Sequence, residues 1–197
     1  MATFLEANEK IVEEYWQWLC KLNKHESPAL NNDGDLDEKY NTTKDYFFLS
    51  PCLGGASSRI CKVRGDKKIL IPSLSCLSSA AERQGSNIDD LNKFADVDRD
   101  NIVYRMIEID GKPLVGNLER YRIRTKKPFK VTYPTHAIFN AKAGESDAVA
   151  DGVYILCELP PGEHIVHFEG RINLPEEEDS LESSDYVEDV TYTLRVT

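Results

Sequence analysis

The stretch Asp151–Gly170, DGVYILCELPPGEHIVHFEG, contains two of the four histidines of the chain, His164 and His167. Imidazole groups this close together could bind a metal ion or transfer protons near neutral pH. On a β-strand, however, residues three positions apart point to opposite faces, so these two histidines cannot bind the same metal ion unless the strand bulges. A Pro-Pro-Gly reversal separates two apolar runs in the same stretch. We therefore predict a β-hairpin here, with a turn at its Asp-Gly start, rather than a site.

A second candidate is the segment DVDRDN, in which three aspartates occupy alternate positions: Asp96, Asp98 and Asp100. Alternating carboxylates begin the oxygen-rich loops that bind calcium. Such loops also need a glycine at their sixth position and an acidic residue at their twelfth, where this chain has asparagine and isoleucine. Two interpretations stay open, a calcium loop and a solvated turn before a strand. No cofactor other than calcium is indicated.

A third candidate is the segment RYRIRT, in which three arginines alternate with other residues: Arg120, Arg122 and Arg124. On a strand this spacing places all three guanidinium groups on one face. That face could bind an anion or an acidic partner, or it could be a charged edge strand that resists aggregation. It could also be covered by the acidic run 175–189 in an internal clasp. Without the clasp, we expect this acidic run to be a solvated loop.

Motifs for common enzyme chemistry do not occur in the chain. It has neither a G-x-S-x-G nucleophile elbow nor the glycine-rich loops that bind nucleotides. The five cysteines form no C-x-x-C pair, so a zinc knuckle is not predicted. We assign no catalytic residue. A pair formed only in the fold, such as Cys157 with a histidine of the predicted hairpin, stays an alternative.

The elements that would position these residues are predicted from hydrophobic periodicity. Apolar residues recur at helical spacing from Phe4 to Leu22, and both tryptophans lie on this stripe. We predict an N-terminal amphipathic helix within residues 1–24, packed on a sheet. From residue 45 to residue 197, alternating runs between turn residues predict about ten strands. The expected fold is mainly β, an antiparallel two-sheet sandwich of jelly-roll-like form, in one domain spanning 1–197.

Composition limits the classes of function. The 197 residues are 41% hydrophobic and 29% charged, values ordinary for a globular protein. The net charge of −10 disfavours binding to nucleic acid, since phosphates are bound by basic surfaces. No run approaches the ~18 apolar residues of a membrane span, and the first residues lack the pattern of a secretory signal. We expect a cytoplasmic or otherwise intracellular protein with reduced thiols and no membrane partner.

Several motifs occur in the order found in one family of bacterial and archaeal proteins. They are YWQW at 15–18, SPALNNDGD at 27–35, FFLSPCLGG at 47–55, RICKVRGDKKILIP at 59–72, IDGKPL at 109–114, YRIRTKKPF at 121–129, the stretch 151–170 and DVTYTLRV at 189–196. The chain resembles that family over nearly its whole length. The family pattern includes WWQW, FFLAGTxGG, RxCTVPAGKAILFPV and DGYWVxLxPLxPGxHxIxFxG. The resemblance implies a β-sandwich with an N-terminal helix and brings no catalytic assignment.

These observations favour a non-enzymatic β-sandwich that binds or assembles with a protein or a glycan. One alternative is a small hydrolase or metal-dependent enzyme whose site forms only in the fold. Another is a structural subunit of a capsid or shell. A deep pocket with titratable side chains would favour the enzyme, and a large apolar patch would favour assembly. An exposed aromatic groove would favour a glycan partner. No oligomeric state is predicted.

Overall fold

The structure, a computed structural model, describes residues 1–173 and 185–197, without the side chains of Val97, Asp98 and Asp185. The described residues are mainly β, with eleven strands in two sheets and three α-helices, which confirms the predicted fold class at that level. None of the helices in these two ranges is long and apolar enough to cross a membrane.

The strands are β1 (Thr3–Leu5), β2 (Tyr46–Phe48), β3 (Gly55–Val63), β4 (Lys68–Ser79), β5 (Ile102–Ile109), β6 (Lys112–Pro113), β7 (Arg122–Arg124), β8 (Phe129–Tyr133), β9 (Gly144–Glu158), β10 (Gly162–Asn173) and β11 (Asp185–Val196). The first sheet has the order β1-β9-β4-β2, and β7 and β8 also pair with the long strand β9. The second sheet has the order β3-β11-β10-β5-β6.

The helices are α1 (Glu9–Cys20), α2 (Asp35–Tyr40) and α3 (Ile88–Asp100), with short 3-10 segments at Pro28–Leu30 and Leu118–Tyr121. Helix α1 is shorter than the predicted one, because the preceding residues form β1 and pair with β9. Asn8 then starts the helix, since its side chain accepts a hydrogen bond from the N–H of Ile11 at 3.1 Å.

Both sheets are mixed rather than antiparallel, so the predicted antiparallel arrangement is wrong. Strand β2 runs parallel to β4, and β3 runs parallel to β11, whereas the other pairs are antiparallel. Alternation along a strand indicates which side chains are buried, but it carries no information about the direction of the neighbouring strand. Parallel partners need a long connection, and here the chain visits the other sheet between the two members of each parallel pair.

The predicted hairpin at 151–170 is also wrong. Strand β9 belongs to the first sheet and β10 to the second, so the Pro-Pro turn carries the chain from one sheet to the other. The Asp-Gly pair at the start of this stretch, expected to be a turn, lies in the middle of β9. Two consecutive apolar strands joined by a tight turn are compatible with a hairpin in one sheet and with a connection between two sheets. The sequence does not distinguish them, because the same residues are buried in each case.

Two hydrophobic clusters explain why the first sheet is so apolar. Along β4, Ile69 and Ile71 belong to a cluster shared with the second sheet, whereas Leu70 belongs to a cluster shared with α1. Ile155 and Leu156 of β9 divide in the same way. Because both faces of these strands are covered, their sequences are continuous apolar runs rather than alternating ones.

Both tryptophans hold α1 against the first sheet, as predicted. Trp16 and Trp18 are 3% and 2% exposed. The indole N–H of Trp16 donates to the hydroxyl of Tyr154 at 2.8 Å, and that of Trp18 donates to the carbonyl of Tyr40 at 2.9 Å. With their polar atoms satisfied, both rings can be buried without penalty.

Candidate functional site

A cavity of about 270 Å³ is lined by both sheets and by α1 and α3. Apolar side chains make up most of its wall, among them Trp16, Leu53, Leu74, Leu77, Ile102, Phe139 and Ile172. The charged side chains of the wall are three arginines and three acids, Arg99, Arg105, Arg122, Glu119, Asp151 and Glu188. The arrangement combines an apolar body with a few charged groups, as ligand-binding cavities do.

A bulge in β4 forms one edge of the cavity. The pairing of β4 with β9 shifts between Ser73 and Cys76, so Leu74 and Ser75 face the single residue Gly152. Leu74 has a φ of 43°, in the left-handed region that side-chain-bearing residues seldom adopt. Bulges redirect side chains and are common beside functional sites. Strained backbone of this kind persists only where the surrounding structure holds it.

Two glycines provide the space for this bulge. A Cβ atom on Gly152 would lie 2.6 Å from Cα of Ser75, and one on Gly170 would lie 2.2 Å from Cγ of Leu74. Both distances are far shorter than a van der Waals contact between carbon atoms. A larger residue at either position would therefore displace the bulge. The Leu74 side chain thus crosses from the first sheet to cover Gly170 of the second.

A row of three residues crosses the inner face of the second sheet below Leu74. Glu188 of β11 pairs with Gly170 of β10, and Gly170 pairs with Arg105 of β5. Directly opposed residues project to the same face of a sheet. The Glu188 carboxyl and the Arg105 guanidinium therefore stand on either side of Gly170, in the wall of the cavity.

Glu188 is a buried carboxyl, with 2% of its surface exposed. Burial raises its pKa to about 7, against the opposing effects of the hydrogen bond from the Leu74 N–H and of the positive charges of Arg105 and Arg59. The Leu74 N–H donates to Oε2 at 3.0 Å, so the bulge itself holds the carboxyl in place. A carboxyl with this pKa can take up or release a proton at neutral pH, which is a common property of functional sites.

Arg105 is the least satisfied charged group of the cavity. Its side chain is 9% exposed, and its Nη1 lies 2.9 Å from Oε1 of Glu119. Its Nε is buried and has no hydrogen-bond partner among the described residues. Burial lowers the pKa of the guanidinium, and the charge of Glu119 opposes this effect. An unpaired buried donor is costly, and most native proteins avoid one.

The three arginines predicted as an anion-binding or partner-binding face line one groove beside residues 4–9, but they differ in their partners. Arg122 and Arg124 lie on β7, whereas Arg120 lies in the 3-10 segment before it and is exposed. Arg122 is paired through two nitrogen atoms with both oxygens of Asp151, in the cavity wall. Arg124 is paired with Asp96. Two of the three guanidinium groups are therefore neutralised within the protein, and a binding role for the set stays a prediction.

The aspartates of the predicted calcium loop lie at the end of α3 instead of in a loop. Asp96 pairs with Arg124 and Arg99, and Asp100 pairs with Arg99; the side chain of Asp98 is outside the description. This helical placement differs from the loop of a calcium site, and calcium binding by these residues stays a prediction. In the two described ranges, no group of three His, Cys, Asp or Glu side chains is arranged to hold a metal ion.

Most of the predicted acidic loop, 175–184, lies outside the described residues, and so does the proposed clasp over the arginines. The end of the run is not a loop, because β11 begins at Asp185. Glu188, counted among these acids as solvated, is instead one of the most buried polar residues of the protein.

The two histidines point to opposite sides of β10, as predicted, and neither lines the cavity. Nδ1 of His164 lies 2.8 Å from Oδ2 of Asp110, and Nε2 of His167 lies 2.9 Å from Oδ1 of Asp189. Cys157 belongs to the hydrophobic cluster between the sheets, where burial raises the pKa of its thiol to about 12. A thiol with its pKa raised in this way is mostly protonated at neutral pH, which disfavours the alternative of a Cys–His pair.

A second buried group of charged residues, the Arg59 cluster, consists of Arg59, Asp37 and Tyr192. All three are at most 1% exposed. The Arg59 guanidinium donates to the Tyr192 hydroxyl at 2.6 Å and to three backbone carbonyls, those of Asn31, Ser50 and Pro51. The Tyr192 hydroxyl donates to Oδ1 of Asp37 at 2.7 Å. Burial raises the pKa of Asp37 to about 6, and the Arg59 charge opposes that rise.

Sequence reasoning missed Arg105 and Glu188, although strand alternation contains a signal for both. Strand β5 buries Ile107 and Ile109, so Arg105 stands on the same inward face. Strand β11 buries Val190 and alternate residues after it, which places Glu188 inward as well. A charged residue at an inward position of an otherwise apolar strand predicts a buried polar site.

Comparison of the chain with protein-family models, with curated proteins and with solved structures found no match.

Proposed function

We propose that the protein is a binding module, a jelly-roll-like β-sandwich that holds a small and largely apolar ligand in the cavity at the β4 bulge. The shared hydrophobic cluster between the two sheets supports the sandwich. The observation that carries the functional proposal is the cavity itself, bounded by a strained bulge for which two glycines make room. The proposed partner is a small molecule, in place of the protein or glycan expected from the sequence.

The dimensions and chemistry of the cavity support a small ligand. A volume of about 270 Å³ is close to the lower limit of ~300 Å³ for small-molecule sites. Aromatic and aliphatic side chains from both sheets line it, while its few charged groups stand at defined positions in the wall. A ligand with an apolar body and one polar group would therefore complement both the apolar and the charged parts of the cavity wall.

The test uses N-phenyl-1-naphthylamine, a neutral apolar dye that fluoresces when it leaves water. We expect the protein to bind the dye saturably. Leu53 lines the cavity and is partly exposed, so the substitution Leu53→Trp fills space in the cavity with little risk to folding. We expect this variant to weaken dye binding about tenfold or more, because tryptophan occupies the volume that the dye needs.

The matched control is Leu30→Trp, since Leu30 is also exposed and lies away from the cavity. It should bind the dye as the unmodified protein does. Equal binding by both variants would place the dye elsewhere and contradict the proposal.

A second candidate function is acid–base catalysis by Glu188, and one observation favours it. A buried carboxyl with a pKa of about 7 beside a guanidinium is suited to transfer protons in a cavity. The test is hydrolysis of p-nitrophenyl butyrate, corrected for the spontaneous rate. Catalysis would be lost in Glu188→Gln and kept in Glu163→Gln, because Glu163 is exposed and outside the cavity. Equal hydrolysis rates in Glu188→Gln and Glu163→Gln would contradict catalysis by Glu188, and ligand binding would then be the only proposed function.

A further inference from the structure

The arginines of the cavity wall already have acidic partners. Two nitrogen atoms of Arg122 bond both oxygens of Asp151. Nη1 of Arg105 lies 2.9 Å from Oε1 of Glu119. Arg99 pairs with two aspartates of its own helix, α3. Each positive charge in the described part of the wall is therefore balanced by a negative one, and none stands free to attract an anionic ligand.

Glu188 is the one charged residue of the wall that forms no ion pair within the described residues. Burial raises the pKa of its carboxyl to about 7, against the opposing effects of the hydrogen bond from the Leu74 N–H and of the Arg105 charge. Such a shift means that the carboxyl is stabilised in its protonated, neutral form. The surroundings of Glu188 thus disfavour a negative charge, even with an arginine on the other side of Gly170.

The same surroundings disfavour a positive charge. Burial lowers the pKa of the Arg105 guanidinium, and the charge of Glu119 opposes that effect without cancelling it. An acid and a base on the two sides of Gly170 are therefore both shifted toward their neutral forms. The common cause is the loss of water around them, which a ligand in the cavity would share.

Apolar side chains form most of the remaining wall. Ile102 and Ile172 come from the second sheet, and Trp16 and Phe139 lie on the opposite side. An ionised head group that moves from water into such surroundings loses its hydration and gains no counter-charge, which is very costly. A neutral group such as a hydroxyl loses far less.

From these observations we propose that the cavity selects uncharged ligands, such as alcohols and esters with a hydrocarbon body, because the described part of its wall offers no free counter-charge to an ion. This inference rests on the proposed function, since it names the class of ligand for the same cavity.

The first test compares three probes that share one chain and differ in head group: octanol, octanoate and octylamine. Each competes with the bound dye at about pH 6, where Glu188 is mostly protonated, and its affinity is read from the loss of fluorescence. We expect octanol to bind about tenfold or more tightly than either ionised probe, because only the ions leave their hydration without compensation.

The second test removes the partner of one wall charge. Glu119 is half exposed, so Glu119→Gln carries little risk to folding, and it leaves Arg105 without its acidic partner. We expect the affinity for octanoate to rise about threefold or more relative to octanol, because the cavity gains an uncompensated positive charge. The affinity for octylamine should fall relative to octanol for the same reason.

The matched control is Glu163→Gln, because Glu163 is also an exposed glutamate paired with a strand arginine but lies outside the cavity. It should leave the order and spacing of the three affinities unchanged. Circular dichroism and the melting temperature establish that both variants are folded. If Glu119→Gln does not fold, the head-group series on the unmodified protein decides alone.

Octanoate or octylamine binding as tightly as octanol would overturn the inference, and so would equal effects of Glu119→Gln and Glu163→Gln on the head-group series. Failure of octanol to displace the dye would overturn it as well. Dye binding that is sensitive to Leu53→Trp would in each case still support a small-molecule cavity. Failure of the dye and of all three probes to bind would instead overturn the proposed function.

Discussion

Two buried groups of charged residues in this protein differ in how their guanidinium groups are bonded. In the Arg59 cluster, each guanidinium nitrogen donates to a carbonyl or a hydroxyl at the junction of α2, β3 and β11, although Oδ2 of Asp37 has no hydrogen-bond partner among the described residues. The Arg105 cluster, which we define as Arg105, Glu119 and Glu188, borders a cavity and contains a buried Nε without a partner in the described part of the chain. Strand β11 contributes to both clusters, through Tyr192 and Glu188.

The difference indicates two uses of buried charge. A guanidinium bonded at all three nitrogens fixes the positions of the segments it joins, because removing it leaves its partners unpaired. A guanidinium with one hydrogen-bond partner, beside a cavity, contributes less to folding. Folding stability should therefore fall more on substitution of Arg59 than on substitution of Arg105.

The largest expected effect is on folding, from Arg59→Met. This substitution removes the hydrogen bonds of the guanidinium and leaves Asp37 buried without its counter-charge. We expect a loss of about 3–5 kcal/mol in the free energy of unfolding, measured by urea denaturation.

The control for that experiment is Arg105→Met, the same change in the other cluster. Because Nε of Arg105 is unpaired and its partner Glu119 is half exposed, we expect a loss of about 1 kcal/mol or less. Equal losses in the two variants would contradict this distinction between the two guanidinium groups.

The next largest effect is the pH dependence contributed by Glu188. Its folded pKa is about 7, above the ordinary value of 4.5, so the folded protein keeps a proton that the unfolded chain releases between these values. Stability therefore falls as the pH rises through this window. Glu188→Gln removes this dependence, while its amide oxygen can still accept from the Leu74 N–H.

Relative to the unmodified protein, Glu188→Gln should gain about 2–3 kcal/mol between about pH 5 and pH 8. Urea denaturation of both proteins across this range measures the gain. A difference that stays constant with pH would show that Glu188 is not titrating in the folded protein.

The tryptophans, the parallel strands and the bulge show how far the sequence could predict the fold. Periodicity predicted the buried tryptophans and the two-sheet, mainly β architecture, since both depend on local alternation of apolar and polar residues. It could not predict that β2 and β3 have parallel partners, because strand direction depends on residues far away in the chain. The bulge at Leu74 was equally hidden, since it depends on Gly152 and Gly170 coming together from separate strands.

A smaller effect is expected from filling the space at Gly170. The substitution Gly170→Ala places a methyl group where the Leu74 side chain lies, so the bulge must shift. We expect a loss of about 1–2 kcal/mol in stability and weaker dye binding. In a Leu74→Ala background the same substitution should cost much less, because the clashing side chain is gone. Additive losses in the double-mutant cycle would mean that the two residues do not interact as the geometry indicates.

The smallest effect contrasts Glu188 with Asp110, an exposed carboxyl in the turn that follows β5. Burial alone would raise the pKa of Asp110, but hydrogen bonds from His164 and from the N–H of Ile165 outweigh it and lower the pKa. The ionised Asp110 therefore stabilises the folded protein above pH 3.8, the ordinary pKa of this carboxyl. The stabilisation is lost as the pH falls through the lower pKa that Asp110 has in the folded protein.

Asp110→Asn should therefore cost about 0.5–1 kcal/mol at neutral pH, a modest amount because this side chain is 40% exposed and screened by water. The cost should decrease as the pH falls below 3.8, whereas Glu188→Gln gains its advantage only as the pH rises. Urea midpoints of both variants at acidic and neutral pH measure the two trends. If Asp110→Asn instead costs the same at both pH values, its carboxyl acts through packing. That result would contradict the contrast between a surface carboxyl whose pKa is lowered by hydrogen bonds and a cavity carboxyl whose pKa is raised by burial.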